Sequence, residues 1–365
     1  MAPTVLATRA LNRALLARQL LLRRAELPVL DAVEHLVGLQ AQSPPDPYYA
    51  LAARLDGFAP DQLSGLLEAR EAVRIPVMRS TIHLVSARDA LVLRPLTQPV
   101  LDRSFRGNHG KRLPGVDLTD LAARARTLVA ERPYTFHELG HVLAEHWPDH
   151  APQDLAMAAR TLLPLVQVTP RGLWGRSGPV AHTTTEVWLG RDPDPAPGLD
   201  TLLLRYLAAF GPASVKDIQT WSGLTRLREP ADRLRPRLRV FRDEQGVELL
   251  DHPDAPLPDP ETPAPVRFLP EFDNIALSHA DRARIATPEN LRRVWRVNRA
   301  HRAFLLDGFI AGIWRVERAG GVATMTVEPF APMRRGDRPA LEEEAGNVLA
   351  LAAPGEGHEV RISEG

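Results

Sequence analysis

Apolar positions along the chain recur mostly at helical spacing. LNRALLARQLLLR, PVLDAVEHLVGL and PDQLSGLLEAR each read as an amphipathic helix, the second with Val29, Leu30, Val33, Leu36, Val37 and Leu39 on one face. The next stretch, EAVRIPVMRSTIHLVSA, alternates instead, as two strands do, with its turn at Arg79 and Ser80. His83 shares one side of that ribbon with Thr81 and Val85, which suits a buried, hydrogen-bonded imidazole.

The order of elements then repeats. RTLVAERPYTFHELGHVLAEH, a helical APQDLAMAARTLL and the ribbon PLVQVTPRGLWGRSGPV form one unit. TLLLRYLAAFGPASVKDIQTWSGL, LREPADRL and RPRLRVFRDEQGVELLD form another. In both, the second helix opens on a capping pair, Thr135 with Glu138 and Ser214 with Asp217, and a proline, Pro164 or Pro236, precedes the ribbon. Three helices followed by a β-ribbon is the order of a winged helix. The pattern predicts three modules over residues 1–112, 113–197 and 198–250, a proline-rich linker at 251–266, and a small β-rich closing unit at 267–365. The expected class is mainly α with β-hairpin wings, an α+β fold.

A length of 365 residues suits several such modules, and 44% apolar residues can fill their cores. The N-terminal apolar segments are broken by arginines, so neither a leader nor a membrane span is expected, and a cytoplasmic, nucleoid-associated location is. The absence of cysteine removes disulfides, thiolate nucleophiles and Cys-type metal sites. Net charge is zero, yet seven arginines lie between Trp221 and Arg242, seven more between His279 and Arg302, and a third basic cluster is DRSFRGNHGKR. A basic face for nucleic acid fits this distribution, and so does the arginine bias of a GC-rich genome. Arg79 and Ser80 at the wing turn, and Arg237, Arg239, Arg242 and Arg282 in the runs, are the candidate DNA contacts. Trp174, between Gly172 and Gly175, is the tryptophan available for base stacking.

HELGH, from His137 to His141, matches a zinc-hydrolase pattern. The position where a short-spaced third ligand would fall is Trp147, and Glu138 aligns with the capping Asp217. No metal or cofactor is expected.

GLQAQSPP poses a different question. Pro44 disfavours helix at Ser43, so the helix would end near Gln40 and leave Ala41 and Gln42 extended, which lets two amides converge. An amide donates and accepts but supplies no full charge. That suits a reaction whose leaving group is already activated, such as hydrolysis of the N-glycosidic bond to a cationic alkylpurine, where positioning of water carries the demand. Two solvated glutamines at a helix end fit the same residues.

GLQAQ, MRSTIHLVSARDAL, GPASVKDIQTWSGL and FLPEFDNIALSHADR together resemble the winged-helix bacterial DNA glycosylases of the AlkZ and YcaQ type, most closely the actinobacterial AlkZ-like branch. The resemblance runs over nearly the whole chain. It implies three tandem winged helices in a C-shaped arrangement, a monofunctional glycosylase, and catalysis by a Gln, variable residue, Gln motif, here Gln40, Ala41 and Gln42. It also implies an open site for bulky N7- or N3-alkylated purines and for interstrand crosslinks, with azinomycin-type self-resistance among the roles of that branch. Asp273, Asn274 and His279 are the candidate cleft residues beside the glutamines, and a capping cluster is the alternative for them. The expected partner is duplex DNA carrying alkylated purines or crosslinks, bound by a monomer. The rival is a non-catalytic winged-helix regulator, which would bind selected sequences without chemistry. A zinc hydrolase on HELGH and a protein-interaction array complete the alternatives.

Overall fold

The computed structural model describes residues 4–296 and 299–363, without the side chains of Arg296 and Arg299, so those two members of the second arginine run lie outside the described side chains. Capping sets where several helices begin. Thr135 and Ser214 accept from the N–H groups of Glu138 and Asp217 at 3.1 and 3.2 Å, and both carboxylates accept in return from the cap N–H at 2.8 Å. These reciprocal bonds open Phe136–Ala144 and Val215–Ser222, as the sequence predicts.

Helices Leu118–Glu131, Phe136–Ala144 and Pro152–Leu162 precede strands Leu165–Gln167 and Ala181–Thr184. Helices Leu199–Phe210, Val215–Ser222 and Arg228–Leu234 precede Arg239–Asp243 and Glu248–Asp251. The N-terminal segment holds one helix more than its pattern suggests. Thr8–Arg18, Val29–His35, Asp46–Ala52 and Pro60–Glu68 come before strands Ala72–Pro76 and Ile82–Ser86, and Asp46–Ala52 begins inside the proline cluster because Pro47 fits a first helical turn. Two further helices, Ala87–Leu96 and Gln98–Asn108, follow the ribbon.

The first two ribbons form one sheet rather than separate wings. Its order is Leu39–Gln40, Ile82–Ser86, Ala72–Pro76, Leu165–Gln167, Ala181–Thr184 and Tyr134–Thr135, and the two halves join where Arg74 pairs with Gln167. The third ribbon gains a parallel neighbour, Val5–Leu6, from the start of the chain. Beyond residue 266, strands Arg267–Phe268, Ala303–Leu306, Phe309–Ala319, Val322–Pro329 and Gly357–Ile362 make a five-stranded sheet covered by helix Arg338–Ala352.

The most extensive apolar core joins Leu15, Ile75, Val77 and Tyr206 to Phe210, Trp221, Leu250 and Leu305, so the first, third and closing segments are fused, while the second packs around a core of its own with Leu121, Leu139 and Leu155. Buried arginines complete the joints. Arg18 pairs with Asp251 and donates to the carbonyls of Leu207 and Pro256, while Arg13 Nε donates to Thr262 O at 2.6 Å. The proline-rich segment turns at 253–254 and at 260–261 and is fastened at Ala255, Pro256 and Thr262.

Candidate active site

Helix Val29–His35 stops five residues before Gln40, earlier than its apolar spacing suggests. Val37 and Gly38 turn left-handed at φ 54° and 87°, and a Cβ on Gly38 would stand 2.7 Å from Val85 Cγ1 and 3.0 Å from Leu84 O. Only glycine fits there. Leu36, Val37 and Leu39 thus belong to the helix cap, turn and strand, and the chain enters the sheet with Gln40 opposite His83. Ala41 N–H continues the pairing by donating to Ile82 O at 2.8 Å. Ala41, between the two glutamines, is fully buried, and the chain bends at Gln42.

The two amides differ in environment. Gln42 is exposed, and its Oε1 accepts from Ile82 N at 3.3 Å. Gln40 is buried, and its Oε1 accepts from Arg79 Nη2 at 2.7 Å. Guanidinium only donates, which fixes the amide with its oxygen toward Arg79 and its NH₂ free to donate elsewhere.

Arg79 reaches Gln40 from the bent turn between strands Ala72–Pro76 and Ile82–Ser86. Arg79 and Ser80 hold φ of 54° and 59°, a conformation that costs an L-residue about 1–2 kcal/mol. Strain at such a position points to function. The guanidinium also donates to Trp221 O and lies 3.4 Å from His83 Nε2. His83 Nδ1 donates to Thr81 O at 3.0 Å, and burial, then the Arg79 charge, push the imidazole down to about 3, so its free nitrogen faces Arg79 as an acceptor. Burial and then Arg282 push Arg79 down to about 10, which leaves it cationic at neutral pH.

Other arginines gather here with no carboxylate ion-pair partner among the described residues. Arg160 donates to Ser80 O at 3.0 Å, Arg282 lies over the Trp295 ring at 4.9 Å, and burial alone shifts each of them downward. Around Gln40 the surface is therefore electropositive, suited to phosphate.

The remaining expected contacts divide. Arg237 is exposed, and Arg242 is exposed with Nη1 donating to Gly246 O at 2.9 Å. Arg239 is not available to DNA, because its Nη2 is held by Asp251 at 2.6 Å and by the carbonyls of His252 and Ala255. Trp174 is not available for stacking either, since it packs 4.8 Å from Tyr48 and 5.7 Å from Tyr49.

The cleft expectation for Asp273, Asn274 and His279 needs correction. All three are buried. Asp273 pairs with both guanidinium nitrogens of Arg54 at 2.7 and 2.8 Å and caps helix Asn274–Leu277. Asn274 Nδ2 donates to Gly38 O at 2.9 Å and so supports the turn that leads into Gln40. His279 lies between Ser278 Oγ and Phe210 O at 2.9 and 3.1 Å. They stand behind the glutamines as the capping cluster.

His137 and His141 are exposed with rings 4.3 Å apart, and Glu138 serves the helix cap. Among the described residues no group of three or more His, Cys, Asp or Glu is placed to hold a metal ion.

Two residues with no part in the sequence reading border the motif. Arg74 Nη2 donates to Ala41 O at 2.7 Å, and its only advance signal is a charge inside the apolar strand AVRIP. Asp46, 1% exposed, has no hydrogen-bond partner on either oxygen among the described residues and lies 3.8 Å from Arg302. Burial, opposed by Arg302, pushes it up to about 7.

These groups set the response to acid. Burial pushes His83 and His279 down to about 3 and His182 to about 4, so below the ordinary value of 6.5 the unfolded chain takes up protons that the native chain refuses. Their stabilisation is complete above pH 6.5 and is lost progressively toward pH 3. Asp46 acts oppositely between pH 4 and 7, one group against three. Urea midpoints are expected to fall steadily from pH 6.5 to pH 4, and a flat profile contradicts the buried neutral imidazoles.

No curated protein matches the chain. The fold superposes on Streptomyces sahachiroi DNA glycosylase AlkZ with a TM-score of 0.79, covering 99% of this chain and 100% of that one, at 20% identity, which is a likeness of fold. The family model for DNA glycosylase AlkZ-like proteins matches residues 33–351, a span that contains the glutamine pair, the wing turn and the sheet joining them. With most of its length accounted for by that match, the chain belongs to the AlkZ-like DNA glycosylase family.

Proposed function

We propose that this DNA glycosylase hydrolyses the N-glycosidic bond of bulky N7- or N3-alkylated purines in duplex DNA, including those within interstrand crosslinks, and that Gln40 and Gln42 position the attacking water. The observation that carries the reading is the Arg79 guanidinium 2.7 Å from Gln40 Oε1, which leaves that amide's NH₂ free to donate, two residues from an exposed second amide. Gln40 donates one hydrogen bond to the water and Gln42 accepts one through the remaining lone pair of Oε1. The water then presents a lone pair to C1′.

An alkylated purine departs with its positive charge neutralised by the electron pair of the breaking C1′–N bond, so no acid is required. Water adds its oxygen to C1′ and loses a proton to solvent at the exposed Gln42. The product is an abasic site on an intact strand, and neither metal nor cofactor takes part. Arg160, Arg282 and the exposed Arg237 and Arg242 hold phosphates. The three-helix-and-ribbon segments act as tandem winged helices in a C-shaped monomer, in keeping with crosslink repair or antibiotic self-resistance near the nucleoid. Among the described residues no helix is long and apolar enough to cross a membrane.

The test is incubation of the wild-type protein with duplex carrying one 7-methylguanine, then with a nitrogen-mustard crosslink. Release of free alkylated base, with strand breaks only after alkali, supports the proposal. Absence of release from both, together with tight binding to one undamaged sequence, supports a regulator instead.

A further inference from the structure

We propose that Arg74 is a positioning residue for the glutamine motif, through which the strand Leu165–Gln167 of the second segment acts on the site. This rests on the reading that Gln40 and Gln42 position water.

Sheet pairing of the motif ends at Gln40 and the N–H of Ala41. Beyond that point Gln42 has one long bond, 3.3 Å from its own side chain to Ile82 N. What orients it is the peptide plane between Ala41 and Gln42, because the carbonyl of one and the N–H of the other are locked in that plane. Arg74 Nη2 donates to that carbonyl at 2.7 Å. The bond fixes the direction from which the Gln42 side chain leaves the backbone, and with it the meeting point of the two amides.

Arg74 is itself held rigidly. It sits in Ala72–Pro76, is 2% exposed, and pairs through its backbone with Leu84 on one side and Gln167 on the other. Its Nε donates to Gln167 Oε1 at 3.1 Å. The aliphatic stem lies in a notch at Gly172, where φ is +98° and a Cβ would come 2.6 Å from Arg74 Cδ. Tyr48 closes the notch, its hydroxyl donating to Gly172 O at 2.8 Å. Tyr48 belongs to helix Asp46–Ala52, which begins four residues after Gln42, so the loop of the second ribbon packs against both Arg74 and the helix that follows the motif.

A guanidinium buried this deeply carries a large desolvation cost. A tight carboxylate partner would offset it, but here the tight bonds are to a carbonyl and an amide. A methionine would fill the same space at less cost, so packing alone does not account for the arginine. A fixed donor aimed at the carbonyl between two catalytic amides does.

The experiment compares wild type, Arg74→Met, Arg74→Lys, Gln167→Leu and Gln42→Ala on a duplex with a single 7-methylguanine. Thermal midpoint, Kd for the lesion duplex and single-turnover release rate are read for each. Arg74→Met is expected to slow release by about ten- to hundredfold with Kd within about twofold, since misplacement of about 1 Å costs rate rather than binding. Arg74→Lys, able to reach Ala41 O alone, is expected to recover most of the rate. Gln167→Leu, which frees Nε and leaves the charge, is expected to slow release several-fold.

A folded Arg74→Met releasing base at the wild-type rate, beside an inactive Gln42→Ala, overturns the positioning role and leaves the glutamine reading intact. Should Arg74→Met not fold, a wild-type rate in Gln167→Leu overturns it equally. A fully active Gln42→Ala removes the reading on which the role depends.

Discussion

Asp273→Ala loses about 3–5 kcal/mol of stability, the loss expected when one partner of a buried pair is removed. Arg54 and Asp273 side chains are 0% and 2% exposed, and the carboxylate also caps the following helix through Ile275 N. Removing it strands a guanidinium that has no other charge partner within 4 Å among the described residues. The double substitution Arg54→Met with Asp273→Leu recovers much of the loss, because an apolar pair carries no desolvation cost. Urea unfolding of the two singles and the double measures this. An Asp273→Ala protein of unchanged stability that fails only in base release would return Asp273 to the site as a cleft residue.

The second large effect concerns Arg79. Arg79→Met lowers the rate of base release by about a hundred- to a thousandfold, the scale for losing one preorganised polar contact. Since Arg79 acts by orienting the Gln40 amide, Arg79→Met and Gln40→Ala together are no slower than the slower single, a non-additive cycle. Arg79→Lys restores little, because one ammonium does not span Gln40 Oε1 and Trp221 O. The sequence reading of Arg79 as a phosphate contact predicts otherwise: a weaker Kd, a shallower salt dependence, and effects that add to those of Gln40→Ala.

What could be read from the sequence was local. The capping boxes at Thr135 and Ser214 and the turn at Arg79 and Ser80 follow from residues a few positions apart. Helices Ala87–Leu96 and Gln98–Asn108 were obscured by Pro95 and Pro99, tolerated at the end of one helix and the start of the next. Contacts between distant segments left almost no trace. Arg74 meets Gln167 across 93 positions, Arg54 meets Asp273 across 219, and Val5–Leu6 pairs with a strand beginning at Arg239. Arginine runs were misleading for the same reason, because charge density does not say which guanidiniums, such as that of Arg239, are turned toward carboxylates. The pair of glutamines stands out in the sequence, whereas the bonds from Arg79 to Gln40 and from Arg74 to the carbonyl of Ala41 do not.

The central claim is that the two amides act on water rather than on binding. Its most direct test is the single-turnover rate of 7-methylguanine release by wild type, Gln40→Ala and Gln42→Ala, with affinity for the same duplex measured in parallel. The account predicts losses of about a hundredfold or more in both variants at unchanged affinity. Release by both variants at the wild-type rate would contradict it.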